Sequence, residues 1–169
     1  EEEEEQQQQQ DREDYEVVVI PGGAEGARRM SEREEVTALV QQQYQRGKLV
    51  ASLCAGPCVV LQPILPPFVG TCHPSFADQF HGADHPAFQE RVVLDGCVLT
   101  SRAPGTALEF ALAIVEVLMG ADKRREVQGP LLLPLPLDSP IMYVVPPKGQ
   151  EDQEGVSSPS SSSSSPGKT

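Results

Sequence analysis

The chain has 169 residues, enough for one domain, and 25 acidic against 13 basic residues give it a formal charge of -12 at pH 7. An acidic surface gains no counterion-release energy from a polyanion, which excludes nucleic acid and anionic membranes as expected partners. No apolar run reaches the roughly 18 residues that span a bilayer, so we expect no membrane partner.

The two ends of the chain differ in composition from its middle. Residues 1–14 are Glu, Gln and other charged residues, and residues 138–169 are rich in Pro and Ser. Neither segment can bury enough apolar surface to offset the entropy of ordering, so we predict disorder in both. Residues 15–137 are predicted to form a single α/β domain. The chain begins with Glu rather than Met, so we expect its true start to be processed or missing.

The first predicted elements form a βαβ unit. A β-branched run over 16–20 predicts a buried strand, followed by a tight Pro-Gly-Gly loop at residues 21–23. A helix opened by a capping box of Ser31 and Glu34 comes next, and residues 49–53 predict a second strand. Such a unit places the loops after both strands at the same edge of a parallel sheet. We therefore expect the Pro-Gly-Gly loop to neighbour the thiol that follows the second strand.

Shorter elements are predicted after that thiol. A short helix covers about 57–62, and residues 68–73 read as a strand that ends at a histidine. Strands over 91–94 and 97–100 flank Asp95-Gly96, a strong hairpin signal.

The last predicted element is a helix that ends at about Met119. Thr106 and Glu109 predict a second capping box at its start. Its residues are apolar on almost every side, which predicts a buried helix. The pattern as a whole predicts an α/β sandwich with a mostly parallel sheet.

Cys54 is the candidate nucleophile, because the second strand delivers it to a sharp turn at the start of a helix. Unpaired N–H groups and peptide dipoles there favour its thiolate over its thiol. The backbone amides of Gly23 and Ala55 would stabilise an oxyanion, and a glycine lets substrate approach the backbone. The alternative is a buried structural thiol, because free cysteine is among the most buried residue types.

His73 is the candidate proton shuttle, since it is the histidine at a predicted strand end. Its alternative is a surface loop histidine, which is the preferred interpretation of His81 and His85. A zinc site would use Cys54, Cys58, Cys72 and His73. It is disfavoured because the CxxC pairs of structural zinc sites are absent. We expect neither a metal ion nor a cofactor.

Four segments together resemble the ThiJ/PfpI superfamily and, within it, the parkinsonism-associated deglycase branch: residues 17–23, 54–57, 72–74 and 100–112. The resemblance covers about residues 15–133. It implies a flavodoxin-like, or class I glutamine amidotransferase-like, sandwich that forms a homodimer. It also implies glutathione-independent action on a small-molecule dicarbonyl such as methylglyoxal, or on early glycation adducts.

The resemblance further assigns roles to individual residues. It implies that Cys54 is the reactive cysteine, that His73 is its partner, and that Gly23 and Ala55 form the oxyanion hole. It implies oxidation of Cys54 to a sulfinate during peroxide stress. The related protease branch has His directly after its nucleophile, and Ala55 stands there in this chain, which disfavours proteolysis.

Two departures from the family pattern stand out. Family members begin with a strand and a helix that supply a glutamate beside the thiolate, whereas residues 1–14 show no strand or helix pattern here. We therefore expect this chain to lack the first strand–helix unit, as a fragment or as a degenerate copy. Ala103 replaces a usual glycine, which could shift the loop beside the pocket.

Three functional hypotheses follow. The first is a cysteine-dependent deglycase or glyoxalase with a role in the oxidative-stress response. The second is a redox-sensing chaperone or signalling protein in which Cys54 is oxidised without turnover. The third is a truncated product without function. The four cysteines, without a visible signal peptide, favour reduced thiols and a cytoplasmic location, or the nucleus or an organelle if a targeting segment lies upstream.

Overall fold

A five-stranded sheet organises the molecule in a computed structural model that describes residues 15–133 and 141–143. Its spatial order is β1-β2-β4-β3-β5, and only the β3–β4 pair is antiparallel. The predicted mostly parallel sheet is confirmed. The strands are β1 (Val17–Ile20), β2 (Leu49–Leu53), β3 (Val92–Asp95), β4 (Val98–Ser101) and β5 (Met142–Tyr143).

Four α-helices and several shorter turns connect the strands. The helices are α1 (Ala24–Ser31), α2 (Glu34–Gln45), α3 (Ala107–Met119) and α4 (Ala121–Gln128). A π-helical turn covers Pro57–Leu61, and 3₁₀ turns cover Pro74–Gln79, Pro86–Gln89, Pro104–Thr106 and Gly129–Leu131. Among the residues that the structure describes, every helix is too short or too polar to cross a bilayer.

The helices lie on both faces of the sheet because successive strand residues point to opposite sides. Val50 packs in a buried cluster with Ala27 of α1 and Val40 of α2. Its neighbour Ala51 packs in a second cluster with Phe110 of α3. The fold is therefore a three-layer α/β sandwich, as predicted.

The βαβ unit forms, but its helical part begins earlier than predicted. β1 and β2 are parallel neighbours, and two helices, α1 and α2, connect them. The capping box of Ser31 and Glu34 is wrong, because Ser31 is the last residue of α1 and its hydroxyl donates to the Arg28 carbonyl at 2.8 Å. The apolar face of α1 is short: Ala27 is buried and Met30 packs partly buried against the same core cluster.

The second predicted capping box is also wrong. The Thr106 hydroxyl oxygen accepts from the Ala103 amide at 3.1 Å and contacts the Ser101 hydroxyl at 2.6 Å. Glu109 accepts instead from the Arg91 side chain at 2.7 Å. Thr106 thus fastens the end of β4 to the turn before α3.

The prediction of a fully buried α3 is wrong as well. Phe110, Leu112 and Ala113 are buried against the sheet, whereas Leu108 is 52% exposed and Met119 is 63% exposed. Apolar residues therefore extend around more of the helix than the face that packs against the sheet.

Residues 68–73 do not form the predicted strand. The Thr71 amide donates to the Thr100 side chain at 3.0 Å, and the His73 amide donates to the Cys54 carbonyl at 2.9 Å. Both edges of β2 are already paired, with β1 and β4. The segment instead runs along β4, from the Val69 amide, which donates to Asp95, to the His73 amide beside Cys54, without adding a ladder of its own.

The sheet extends beyond the predicted domain boundary at residue 137. β5 pairs in parallel with β3, and the preceding Ile141 is buried beside Val92 and Leu94. Apart from residues 141–143, the ends predicted to be disordered, 1–14 and 138–169, lie outside the described residues.

Two buried serines at neighbouring positions of the sheet are expected to respond oppositely to alanine substitution. Ser52 is fully buried and its hydroxyl has no hydrogen-bond partner among the described residues. Ser101 is equally buried, and its hydroxyl donates to the Arg91 carbonyl at 3.0 Å. An unsatisfied buried polar group costs roughly 1–3 kcal/mol, whereas a made hydrogen bond contributes about 1 kcal/mol.

Ser52→Ala should therefore raise the free energy of unfolding by about 1 kcal/mol, and Ser101→Ala should lower it by a similar amount. Denaturant titration of both variants beside the parent chain measures this. A loss of stability in Ser52→Ala as large as that in Ser101→Ala would contradict the assignment.

Candidate active site

Cys54 stands at a strained elbow directly after β2. Its φ of 63° lies in the left-handed region, which residues other than glycine rarely occupy. Its amide donates to the Ser101 carbonyl at 2.9 Å, which holds the elbow against the end of β4. Strained backbone of this kind clusters at functional sites. The chain then enters the π-helical turn Pro57–Leu61, so the thiol precedes a helical turn as predicted.

The Pro-Gly-Gly loop lies against Cys54, which confirms the prediction that they are neighbours. A Cβ atom added at Gly22 would lie 2.7 Å from the Cys54 Cβ and 3.5 Å from its Sγ. Only a glycine fits there without moving the thiol. Sequence reasoning singled out Gly23 and missed Gly22, although both stand in the same loop.

Gly23 and Ala55 flank the thiol with their backbones. Gly23 has a φ of 98°, a conformation that favours glycine, and a Cβ there would meet nothing within 4 Å. The backbone conformation at position 23, and not contact with neighbouring atoms, is therefore what requires a glycine there. Ala55 is fully buried. Within the described part of the chain, neither amide N–H donates to another residue, so neither is committed to a bond within the protein.

His73 is linked to Cys54 through the backbone, by the bond between the His73 amide and the Cys54 carbonyl at 2.9 Å. Its ring caps the 3₁₀ turn that follows, because Nδ1 accepts from the Ser75 amide at 3.2 Å and lies 2.7 Å from the Ser75 hydroxyl. A neutral ring that accepts at Nδ1 carries its proton on Nε2. When Nδ1–H instead donates to the Ser75 hydroxyl oxygen, Nε2 has a free lone pair and can accept a proton.

The other two histidines lie on the surface, as predicted. His81 and His85 are both exposed. His85 repeats the capping arrangement of His73, since its Nδ1 accepts from the Ala87 amide at 3.1 Å. Neither of them is bonded to the elbow.

Three of the four free cysteines are poor nucleophiles for a shared physical reason. Burial raises the pKa of the Cys58 thiol, and burial followed by the nearby Cys58 raises the pKa of Cys72 to about 12. Burial is also the main cause of the raised pKa of Cys97. These thiols stay protonated at neutral pH, and the thiolate is the reactive form of cysteine.

The alternative zinc site is not formed. Cys58 and Cys72 pack among Phe80 and Phe88 in an apolar cluster. Within residues 15–133 and 141–143, no group of three or more His, Cys, Asp or Glu side chains is arranged to hold a metal ion.

The Cys72 thiol should make stability depend on alkaline pH. An unfolded chain releases this proton near pH 9, whereas the folded chain holds it until about pH 12. The folded state then binds more protons between these values, so the free energy of unfolding falls as pH rises through this window. The slope due to one proton is at most about 1.4 kcal/mol per pH unit.

Urea unfolding of the parent chain and of Cys72→Ala, at several values from pH 8 to pH 11, tests this expectation. The variant should start less stable, because it loses buried atoms, and should fall less steeply with pH. Parallel curves for the two proteins would show that Cys72 ionises alike in the folded and unfolded states.

Ala103 does not disturb the loop beside the site. Its φ of -161° is extended backbone that any residue adopts, and its amide donates to the Thr106 hydroxyl oxygen. Alanine therefore fits where the family usually has glycine.

The fold and this site define a class: an α/β sandwich with a cysteine at a strand-to-helix elbow, facing a glycine loop. The model of the DJ-1/PfpI family matches residues 5–117, which is more than half of the chain. The chain belongs to the DJ-1/PfpI family.

Individual relatives agree with this assignment. The chain is 45% identical over 110 residues to the Parkinson disease protein 7 homolog of Danio rerio, covering 64% of this chain and 58% of that protein. It is 35% identical over 108 residues to the glutathione-independent glyoxalase DJR-1.2 of Caenorhabditis elegans, with the same two coverages. The chain thus spans little more than half the length of these curated relatives.

Solved structures are similar over a larger share of the chain. The crystal structure of Drosophila melanogaster DJ-1beta matches with a TM-score of 0.67 and 38% identity, covering 75% of this chain and 69% of that one. An oxidized Toxoplasma gondii DJ-1 matches with a TM-score of 0.67 and 34% identity, covering 73% and 67%.

Proposed function

We propose that the chain is a cysteine-dependent glyoxalase or deglycase that acts on methylglyoxal-type dicarbonyls or on early glycation adducts. The observation that supports this most strongly is Cys54, held at a positive φ against Gly22 with two backbone amides beside it. The Caenorhabditis elegans relative, named as a glutathione-independent glyoxalase, supports the same chemistry.

In the first step, the Cys54 thiolate adds to the aldehyde carbon of methylglyoxal and forms a carbon–sulfur bond. The negative charge moves to the aldehyde oxygen, where the amides of Gly23 and Ala55 would donate to it. Protonation of that oxygen gives a hemithioacetal. The open space beside Gly23 leaves room for the substrate.

In the second step, a proton leaves the former aldehyde carbon and one is returned to the adjacent ketone carbon, while the hydroxyl proton moves to the former ketone oxygen. The hemithioacetal thereby becomes a thioester of lactate. His73 is the candidate carrier: its Nε2 accepts the proton from carbon when Nδ1–H donates to the Ser75 hydroxyl oxygen, and then returns that proton. Water then hydrolyses the thioester and releases lactate and the free thiol. The sum is methylglyoxal plus water giving lactate, without an external oxidant or reductant.

No carboxylate among the described residues is hydrogen-bonded to the Cys54 thiol. His73 would therefore have to carry the proton without a second acid or base from that part of the chain. We therefore expect a rate of methylglyoxal conversion well below that of a site with a second acid or base beside the thiol.

Incubation of the 169-residue protein with methylglyoxal, in buffer without glutathione, tests the proposal. Lactate should accumulate in proportion to protein concentration and time. A requirement for added glutathione, or no lactate above the rate in buffer alone, would refute it.

A redox-sensing role, in a chaperone or signalling protein, is the second candidate. Cys54 is partly exposed, whereas Cys58 and Cys72 are buried and protonated at neutral pH. Two molecules of hydrogen peroxide would convert the Cys54 thiol to a sulfinic acid and release two of water. Mass spectrometry after mild peroxide should place both added oxygens on Cys54. Oxidation spread evenly over the four cysteines would exclude this role.

The homodimer, the cytoplasmic location and the part played in oxidative stress stay predictions. Gel filtration of the purified chain addresses the first of them directly.

A further inference from the structure

A cavity of about 540 Å³ lies away from Cys54. This volume is in the range of small-molecule sites. The segment after the π-helical turn forms one wall, and a loop that contributes Phe80, His81, Gly82 and His85 forms another. Asp95 at the end of β3 completes the cavity. Its apolar lining comes from Leu65, Pro66, Pro67, Phe68, Val69 and Phe80.

The cavity and the elbow lie at opposite ends of strand β4. Asp95 at the end of β3 pairs with Val98 at the start of β4, because these strands are antiparallel. The other end of β4, Ser101, pairs with Leu53, which directly precedes Cys54. A ligand in the cavity therefore occupies a separate site from the substrate of Cys54.

Asp95 supplies a fixed negative charge to this cavity. Its Oδ2 accepts from the Val69 amide at 2.7 Å, which holds the carboxylate in place. No lysine or arginine of the described residues forms an ion pair with it. A half-buried carboxylate with a free oxygen favours a hydrogen-bonding cation as its partner.

Aromatic rings stand beside this charge. Phe68 and Phe80 pack edge to face with their ring centroids 5.9 Å apart. Aromatic faces attract ammonium groups, and a neighbouring carboxylate strengthens that preference.

We propose that this cavity binds a small primary amine carried on an aromatic or branched aliphatic body. The ammonium group donates to the free oxygen of Asp95, and the apolar body lies against Phe68, Phe80 and the proline wall. This site is independent of the function proposed for Cys54.

Titration of the ¹⁵N-labelled 169-residue protein with 2-phenylethylamine, followed by amide chemical shifts, tests the proposal. The Val69 amide should shift and saturate, because it donates to the carboxylate that the amine engages. The neutral isostere 2-phenylethanol should bind about tenfold more weakly, since it lacks the charge-assisted hydrogen bond. This comparison requires no variant and so does not depend on a mutant folding.

A matched pair of variants completes the test. Asp95→Asn keeps an oxygen that can accept from Val69 and should bind the amine about tenfold more weakly. Asp84→Asn removes the same charge from an exposed residue that does not line the cavity, and should bind as the parent does. Equal binding of amine and alcohol, equal weakening in both variants, shifts centred on Gly22 and Cys54, or no saturable shift at Val69 would each overturn the proposal.

Discussion

Cys54→Ser should reduce conversion of methylglyoxal to lactate by at least about 10³-fold, because removing a covalent nucleophile costs factors of this size or more. A serine hydroxyl is of similar size to the thiol and can be accommodated at the same backbone angle. Its much higher pKa leaves almost no anion to attack the aldehyde. Lactate formation at saturating methylglyoxal, with far-ultraviolet circular dichroism to verify the fold, measures the effect.

Cys97→Ser is the matched control for this experiment. Cys97 is also a partly exposed free thiol, but it directly precedes β4, at the edge of the sheet away from Cys54. The control should keep the parent rate within about twofold, because a substitution far from the reacting atoms removes no transition-state contact. Equal activity of Cys54→Ser and the parent would mean that the lactate arises without this thiol.

The fold could be predicted where one face of an element is buried and the loops are short. β2 appears in the sequence with its observed bounds, Leu49–Leu53, because all but its last residue are buried. The hairpin is equally clear, although its two turn residues are Gly96 and Cys97 rather than the predicted Asp95-Gly96, because Asp95 is still in β3 and pairs with Val98. Gly96 adopts a positive φ of 58°. In contrast, α1 and α4 are each 8 residues long and bury a single residue, so any apolar stripe in them is too short to give a clear periodic pattern.

Long-range pairing explains most of the errors. Residues 68–73 have the composition of a strand, but whether a strand forms depends on a free edge, and β1 and β4 already occupy those of β2. Thr106 and Glu109 have the spacing of a capping box, yet each finds a stronger partner elsewhere, in Ser101 and Arg91 respectively. Local spacing gives no information about these partners.

The sequence predicted most of the residues that form the candidate site, but it did not predict all of the contacts that position them. Strand order alone brings the Pro-Gly-Gly loop to Cys54, because parallel strands end at one edge. Which of the two glycines, Gly22 or Gly23, contacts Cys54 depends on the direction of the side chain at the elbow. The spacing of residues in the sequence does not determine that direction. The ring of His73 is likewise positioned by Ser75, two residues away, and not by the strand that the sequence suggested.

Gly22→Ala should lower the rate of methylglyoxal conversion by about 10²-fold, the loss that a misplacement of about 1 Å produces in a catalytic group. A methyl group there would lie 2.7 Å from the Cys54 Cβ and 3.3 Å from the Leu53 carbonyl oxygen. Gly22 does not adopt a positive φ, so alanine introduces no backbone strain of its own. The thiol must therefore move, and its rate of alkylation by iodoacetamide should fall with the catalytic rate.

Gly26→Ala is the control, since it adds the same methyl group to the next glycine that is free of a positive φ. A Cβ at Gly26 meets nothing within 4 Å, and the residue lies inside α1, where alanine is favoured over glycine by roughly 0.5–1 kcal/mol. This variant should be slightly more stable than the parent and equally active. If Gly22→Ala were as active as Gly26→Ala, the elbow would tolerate displacement of its thiol, and contact with the glycine loop would not be what positions Cys54.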